Sequence, residues 1–188
     1  MKTLLIDNES KHTGELKELL TSNGLDLKIA SHNQIPDDLT SFELIILSGS
    51  SHSVHGNRQI FQTEFDLIQK FEKPLIGICF GFELIAYAFG NKLQKMDKKR
   101  EGIETVKVTR KDNIFGDREE FDVYEGHSYS VAKLGDPLIE LGRSETGVEI
   151  FKHKSIPIYG FQFHPEVAVD GQQGGEIFSN LISLLKNG

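Results

Sequence analysis

The stretch that most constrains this chain is Pro74-Leu75-Ile76-Gly77-Ile78-Cys79-Phe80-Gly81-Phe82. An apolar run enters it, and a helix-like run, Glu83 to Phe89, leaves it. Gly77 and Gly81 flank Cys79, the chain's one cysteine, at two residues on either side. That spacing predicts a sharp strand-to-helix turn, an elbow so tight that side chains at the flanking positions would collide. A thiol on such a turn sits at a helix N-terminus, where the dipole and free N–H groups favour thiolate. Two readings are open for Cys79 on this stretch alone: a nucleophile, or a small apolar residue closing a core strand.

An elbow of this kind needs a parallel sheet around it, and the chain supplies one in order. Thr3 to Ile6 reads as a buried first strand. Glu15 to Leu20 is a helix with Leu16, Leu19 and Leu20 on one face, closed by Asn23-Gly24. Leu25 to Ala30 alternates as a second strand, and Ser31 to Ser41 is loop. Leu44 to Leu47 is a short, wholly apolar strand ending at Ser48-Gly49-Ser50-Ser51. Gln59 to Phe71 has helical spacing, and Leu75 to Ile78 is the strand that enters the elbow. Alternating strands and helices predict an α/β fold with a parallel sheet, whose ligands bind beyond the C-terminal strand ends. Asp7, Gly49 and Cys79 all fall at such ends. From Asn91 the pattern changes. Lys92, Lys95, Lys98, Lys99 and Arg100 are expected either in a solvated surface loop or at a partner or phosphate contact. Thr105–Thr109, Phe121–Tyr124, Leu138–Leu141 and Val148–Phe151 are short strand candidates of an antiparallel extension, which makes the sheet mixed. Ile156 to Phe163 is a strong strand, and Glu176 to Leu185 is a closing amphipathic helix. No linker interrupts residues 1–188, so one domain is expected.

Composition narrows the function classes. Lys and Arg number 21 against 28 Asp and Glu, a net charge of −7, which argues against a nucleic-acid partner. No apolar run reaches the ~18 residues of a membrane span, and the apolar part of Met1–Asp7 is too short for a signal peptide. A single cysteine excludes an internal disulfide and suits a reducing compartment, so a cytoplasmic protein is expected. Gly171 to Gly175 lacks the Lys and Ser/Thr of a phosphate-binding loop, and no metal-ligand spacing stands out. Neither a metal nor a cofactor is expected.

The second informative stretch is Tyr159-Gly160-Phe161-Gln162-Phe163-His164-Pro165-Glu166-Val167. A thiol nucleophile needs a base, and the base needs an orienting group. Residues two apart on an extended chain project to one side, so Glu166 can hold the His164 imidazole from behind while the ring faces a thiol. His-x-Glu by itself is equally a pair of polar residues at a strand end.

Gly77-Ile78-Cys79-Phe80-Gly81 together with Gly160-Phe161-Gln162-Phe163-His164-Pro165-Glu166 resembles the class I, triad-type glutamine amidotransferase domain. The resemblance runs from Leu4-Leu5-Ile6-Asp7-Asn8 through Ile46-Leu47-Ser48-Gly49 to the C-terminal helix. It implies a flavodoxin-like fold with helices flanking the sheet, and hydrolysis of glutamine to glutamate with ammonia delivered to a synthetase. Cys79 is then the nucleophile, His164 the base and later the acid, and Glu166 the residue that orients His164. The oxyanion hole maps to backbone at Gly49, Ser50 and Phe80, and the substrate-binding residues to Ser50, Ser51 and Glu83. Segments such as Val123-Tyr124-Glu125-Gly126-His127 and Arg143-Ser144-Glu145-Thr146 look most like the branch serving GMP synthase. A separate ATP-dependent synthetase chain is the implied partner. His127 is implied near that partner's interface, with a solvated loop histidine as the other reading.

The chain departs from the family pattern at Gly49-Ser50-Ser51, where Gly-Gly-Pro is usual, at Gly81-Phe82-Glu83, where Gly-His-Gln or Gly-Met-Gln is usual, and at Tyr124. Ser50 stands in place of a glycine, which requires a negative φ there. Glu83 stands where a glutamine is usual, and Tyr124 where a tryptophan is common. Glu83 leaves a different γ-glutamyl compound open as substrate, and a regulatory module with little turnover is a further alternative.

Overall fold

A computed structural model describes residues 1–187. Five parallel strands form the centre: β1 (Lys2–Asp7), β2 (Asp26–Ser31), β3 (Leu44–Leu47), β4 (Leu75–Ile78) and, late in the chain, β9 (Ile158–Phe161). Between them and the C-terminus run α1 (Thr13–Ser22), α2 (Gln62–Lys70), α3 (Phe80–Ala88) and α4 (Gly174–Asn187). Four further strands, β5 (Gln94–Val108), β6 (Glu120–Ser130), β7 (Leu138–Arg143) and β8 (Val148–His153), continue the same sheet. The strand order is β2-β1-β3-β4-β9-β8-β7-β5-β6. Pairings are parallel from β2 to β9 and antiparallel from β9 to β6. This is the mixed α/β sheet with an antiparallel extension that the sequence pattern predicts.

β3 and β4 are buried at every position because both faces of the sheet are covered there. Side chains of alternate residues go to opposite sides. Leu4, Ile6, Ile45, Leu47 and Leu75 pack with α2 and α3. Leu5, Leu44, Ile46, Ile76 and Ile78 pack with α1 and α4. The buried face of α4, Ile177, Phe178, Leu181 and Ile182, stabilises the fold by roughly 1.5–3 kcal/mol per side chain removed from water.

The sheet curls, so that β6, last in strand order, returns to the segment beyond β9. The His164 N–H donates to Tyr124 O at 2.9 Å, and the Gln173 N–H donates to Asp122 O at 2.7 Å. The basic stretch falls in this region. Lys95, Lys98, Lys99 and Arg100 lie in the long strand β5, not in a loop. Its pairing with β6, broken by a register shift between Lys95 and Arg100, holds it extended despite its charge. The same pairing extends β5 and β6 well beyond the short strands expected at 105–109 and 121–124. Conversely β9 is shorter than the run Ile156–Phe163, because the chain leaves the ladder to form the His164 turn.

Candidate active site

Cys79 adopts φ 51° and ψ −99° between β4 and α3. A non-glycine residue in this region is strained by ~1–3 kcal/mol and persists only where its surroundings fix it. Three contacts do so here. The Cys79 N–H donates to Phe161 O at 2.7 Å, the Gly81 N–H donates to Ser48 O at 3.2 Å, and the Glu83 N–H donates to Cys79 O at 3.0 Å. The flanking glycines are needed for approach. A Cβ on Gly77 would collide with the backbone carbonyl of Gly81, and a Cβ on Gly81 with the carbonyl of Leu47. The helix begins at Phe80, not at Glu83, so Cys79 is its N-cap and the first-turn N–H groups lack intrahelical acceptors.

His164 and Glu166 follow β9 and reach Cys79 from the neighbouring strand end. His164 Nδ1 lies 2.8 Å from Glu166 Oε1, and both side chains are buried. With Nδ1 bound to a carboxylate, the ring offers Nε2 outward. Burial pushes the Cys79 thiol up, the charge of the adjacent His164 imidazole pulls it back, and the carboxylates of Glu83 and Glu166 add to the upward push. Burial lowers the imidazole, but the Cys79 thiolate and the Glu166 carboxylate outweigh it and raise His164. Each ionised member of the pair stabilises the other, so the two titrate as a unit.

Gly49 lines the opposite side. A methyl group there would stand 3.1 Å from His164 Cε1, 3.3 Å from Ser10 Oγ and 3.6 Å from Cys79 Cβ. Behind it, the Asn8 N–H donates to Ser48 Oγ at 2.9 Å, Asn8 Nδ2 donates to Ser48 O at 3.3 Å, and the Ser48 hydroxyl donates to Gly49 O at 2.9 Å. Ser50 is not among the residues with positive φ, so a side chain is accommodated where glycine is usual. Its hydroxyl accepts from the His52 N–H at 3.0 Å.

These groups open on one cleft of about 400 Å³, lined by Ser50, Ser51, Cys79, Phe80, Glu83 and His164, with Lys11, Lys95 and Lys99 on its wall. A wider groove of about 750 Å³ beside α2 and α3 contains none of them. Glu83 is 4% exposed, and burial raises its carboxyl to about 8, opposed by the neighbouring Gln162. At neutral pH it is therefore largely a neutral acid, able to donate one hydrogen bond as well as accept.

His127 lies on the same wall, but its ring is 1% exposed and turned inward. Nδ1 is 2.6 Å from Tyr129 O and Nε2 is 2.5 Å from Glu125 Oε2. The ring is therefore buried in β6, and the solvated-loop reading does not describe it. Sequence reasoning gave no role at the site to His12. Its ring centroid is 4.9 Å from that of His164, tilted by 60°. No local signal places it there, because the contact crosses from the start of α1 to the segment after β9.

Known proteins resemble this chain along nearly its whole length. A GMP synthase (glutamine-hydrolyzing) subunit of Pyrococcus abyssi is 31% identical over 186 residues, covering 96% of this chain and 97% of that one. The corresponding GMP synthase subunit of Thermoplasma acidophilum is 32% identical over 191 residues, covering 98% and 92%. A solved Thermoplasma acidophilum structure, described as that of a GMP synthase subunit, superposes with a TM-score of 0.88 at 30% identity, covering 100% of this chain and 94% of that one. The model of the family glutamine amidotransferase class-I matches residues 4–184, and the chain belongs to that family.

Proposed function

We propose that this chain hydrolyses glutamine to glutamate through Cys79, His164 and Glu166 and passes the ammonia to a separate ATP-dependent synthetase chain of the GMP synthase type. The observation that carries this reading is the meeting, in one cleft, of a thiol on a strained helix-capping turn with an imidazole held from behind by a buried carboxylate. His164 takes the thiol proton as Cys79 Sγ attacks the side-chain amide carbon. The oxyanion that forms is met by backbone N–H groups at Gly49–Ser50 and at Phe80, next to the start of α3. His164 returns the proton to the departing ammonia, and water then releases glutamate with the same base. Glu166 keeps the imidazole in the tautomer that faces the thiol.

Glu83 and the serines Ser50 and Ser51 hold the substrate. In its neutral form the Glu83 carboxyl offers one donor and one acceptor, a partial substitute for a side-chain amide. The relatives named as GMP synthase subunits support GMP biosynthesis as the setting and a second chain as partner. No helix among the described residues is long and apolar enough to cross a membrane, and a free catalytic thiol fits a reducing cytoplasm.

The test is glutamate release from glutamine by the purified chain, alone and with a GMP synthase-type synthetase chain. Activity that disappears in Cys79→Ala supports the reading; no glutamate under either condition overturns it. Glu83 favours a second reading, hydrolysis of a different γ-glutamyl compound. Preferential cleavage of γ-glutamyl peptides over glutamine would establish it in place of the first.

A further inference from the structure

A second buried Glu/His pair lies outside the catalytic machinery. Glu125 and His127 stand two apart on β6 and so project to one face. The curl of the sheet brings Glu149 of β8 against them. Glu125 and Glu149 are 0% exposed and His127 is 3% exposed. One ligand-type atom from each lies within 4.8 Å of the other two.

The hydrogen-bonding pattern of this cluster is short of donors. His127 Nδ1 is 2.6 Å from the Tyr129 carbonyl oxygen, which can only accept, so Nδ1 carries the proton. In a neutral ring Nε2 then presents a lone pair, yet it lies 2.5 Å from Glu125 Oε2, also an acceptor when ionised. Glu125 Oε1 and Glu149 Oε2 are buried with no partner. Glu149 Oε1 is fixed from outside by Ser144 Oγ at 2.7 Å and Thr146 Oγ1 at 3.0 Å. With both carboxyls ionised, acceptors from three residues converge on a point to which no N–H or O–H is directed. Leaving such groups unmatched in the interior is costly.

We propose that Glu125, His127 and Glu149 form a binding site for a divalent first-row transition cation, of which zinc is the best match. An imidazole nitrogen with two carboxylates is a donor set that zinc accepts, and it leaves a fourth position for water. The surroundings are those that metal ligands need. A backbone carbonyl fixes the tautomer that frees Nε2, and two hydroxyls orient a carboxylate. Tetrahedral zinc sets ligand atoms roughly 3.4 Å apart, so the His127–Glu125 contact opens by about 1 Å and the other ligand atoms close inward. Entry is through the cleft, whose wall includes His127. The bound cation would tie β6 to β8. Gly126 of β6 packs on His164, where a methyl group would stand 3.5 Å from Nε2, so the cation would brace one wall of the catalytic cleft without touching the reacting atoms.

The alternative occupant is a set of shared protons, and burial does raise both Glu125 and Glu149. The experiment separates the two. The full chain with any affinity tag removed is prepared as Cys79→Ala, so that the catalytic thiol offers no ligand, and stripped with a chelator. Zinc chloride alone is titrated in by calorimetry, and melting is followed with and without it. The proposal expects one equivalent bound, a rise in melting temperature, and at least a tenfold loss of affinity in Glu149→Gln, which keeps the shape but not the charge. Absence of a saturable equivalent, or an unchanged affinity in Glu149→Gln, overturns it. If Glu149→Gln does not fold, ¹⁵N NMR of the Cys79→Ala protein decides: a zinc-dependent shift of His127 Nε2 supports the site, and none overturns it. Glutaminase activity is not the readout, so failure here leaves the amidotransferase reading intact.

Discussion

Oε1 of Glu166 lies 2.8 Å from Nδ1 of His164, in a pair whose side chains are 0% and 4% exposed. In the proposed mechanism, a buried carboxylate in that position stabilises the imidazolium that forms when the thiol proton is taken. Glu166→Gln keeps the shape but removes the charge. The expected result is a fall in kcat of about 10²–10⁴-fold with little change in KM for glutamine. Steady-state assay of glutamate release measures both. An equal rise in KM with kcat preserved would mean that Glu166 serves binding and not the proton transfers.

Gly81 lies against the carbonyl of Leu47, closer than any Cβ tolerates. Because that atom is backbone in the central sheet, β3 must move to admit a methyl group. Gly81→Ala should destabilise the protein by about 1–3 kcal/mol, as overpacking does. At this chain length that is a drop in melting temperature of roughly 2–12 °C. Thermal denaturation followed by circular dichroism gives the value. Gly14, where a Cβ would meet nothing within 4 Å, is the control, and Gly14→Ala should melt within about 4 °C of the parent and no lower, since an exposed Gly→Ala change in a helix is stabilising by under ~1 kcal/mol.

Glu83 gives a pH dependence. Its carboxyl is raised to about 8, so it is neutral below that pH and anionic above it. Ionisation removes its one donor and places negative charge in the cleft near Cys79. KM for glutamine should therefore rise as pH climbs through about 8, and Glu83→Gln should remove that rise. Michaelis constants for the two proteins between pH 6.5 and 9 test this, and identical profiles would refute a substrate role for the neutral acid.

Glu64 gives a separate dependence, on stability. It is buried in α2, with Asn8 as its polar neighbour. Burial raises it to about 8 against an ordinary 4.5, with Asn8 opposing. The folded state thus holds a proton that the unfolded state has released between those two values. Stability from this group is fully present below about 4.5 and is lost as pH rises through about 8. Urea unfolding across this range should show Glu64→Gln declining less steeply with rising pH than the parent protein. Because Asn8 binds Ser48 behind Gly49, the variant also tests whether this buried acid supports the Gly49 loop.

The regular elements were legible where the local pattern and the tertiary demand coincide. Leu44–Leu47 and Leu75–Ile78 are wholly apolar and short, and they are the strands observed. The α4 face read from Ile177, Phe178, Leu181 and Ile182 is the buried one. The charged stretch from Lys92 to Arg100 was not legible as strand, because its extended form comes from pairing with β6, which no local pattern reveals. Glu83 and Cys79 were readable as neighbours at one helix start, but the burial that keeps Glu83 neutral was not.

By itself the sequence determined the strands and helices around the elbow, and gave its chemistry as a resemblance. Gly77, Cys79 and Gly81 at their spacing fit a tight strand-to-helix turn, and His164 with Glu166 at theirs can place a base and its orienting acid on one side of an extended chain. These are short-range constraints of backbone sterics and side-chain reach, so they are written in adjacent residues. The tertiary structure alone decided what surrounds them. Curling of the sheet brought Gly126 against His164 and Glu149 against Glu125 and His127, and α1 set His12 beside the His164 ring. Those contacts join residues far apart in the chain, and the electrostatics of each buried group depend on which of them it meets.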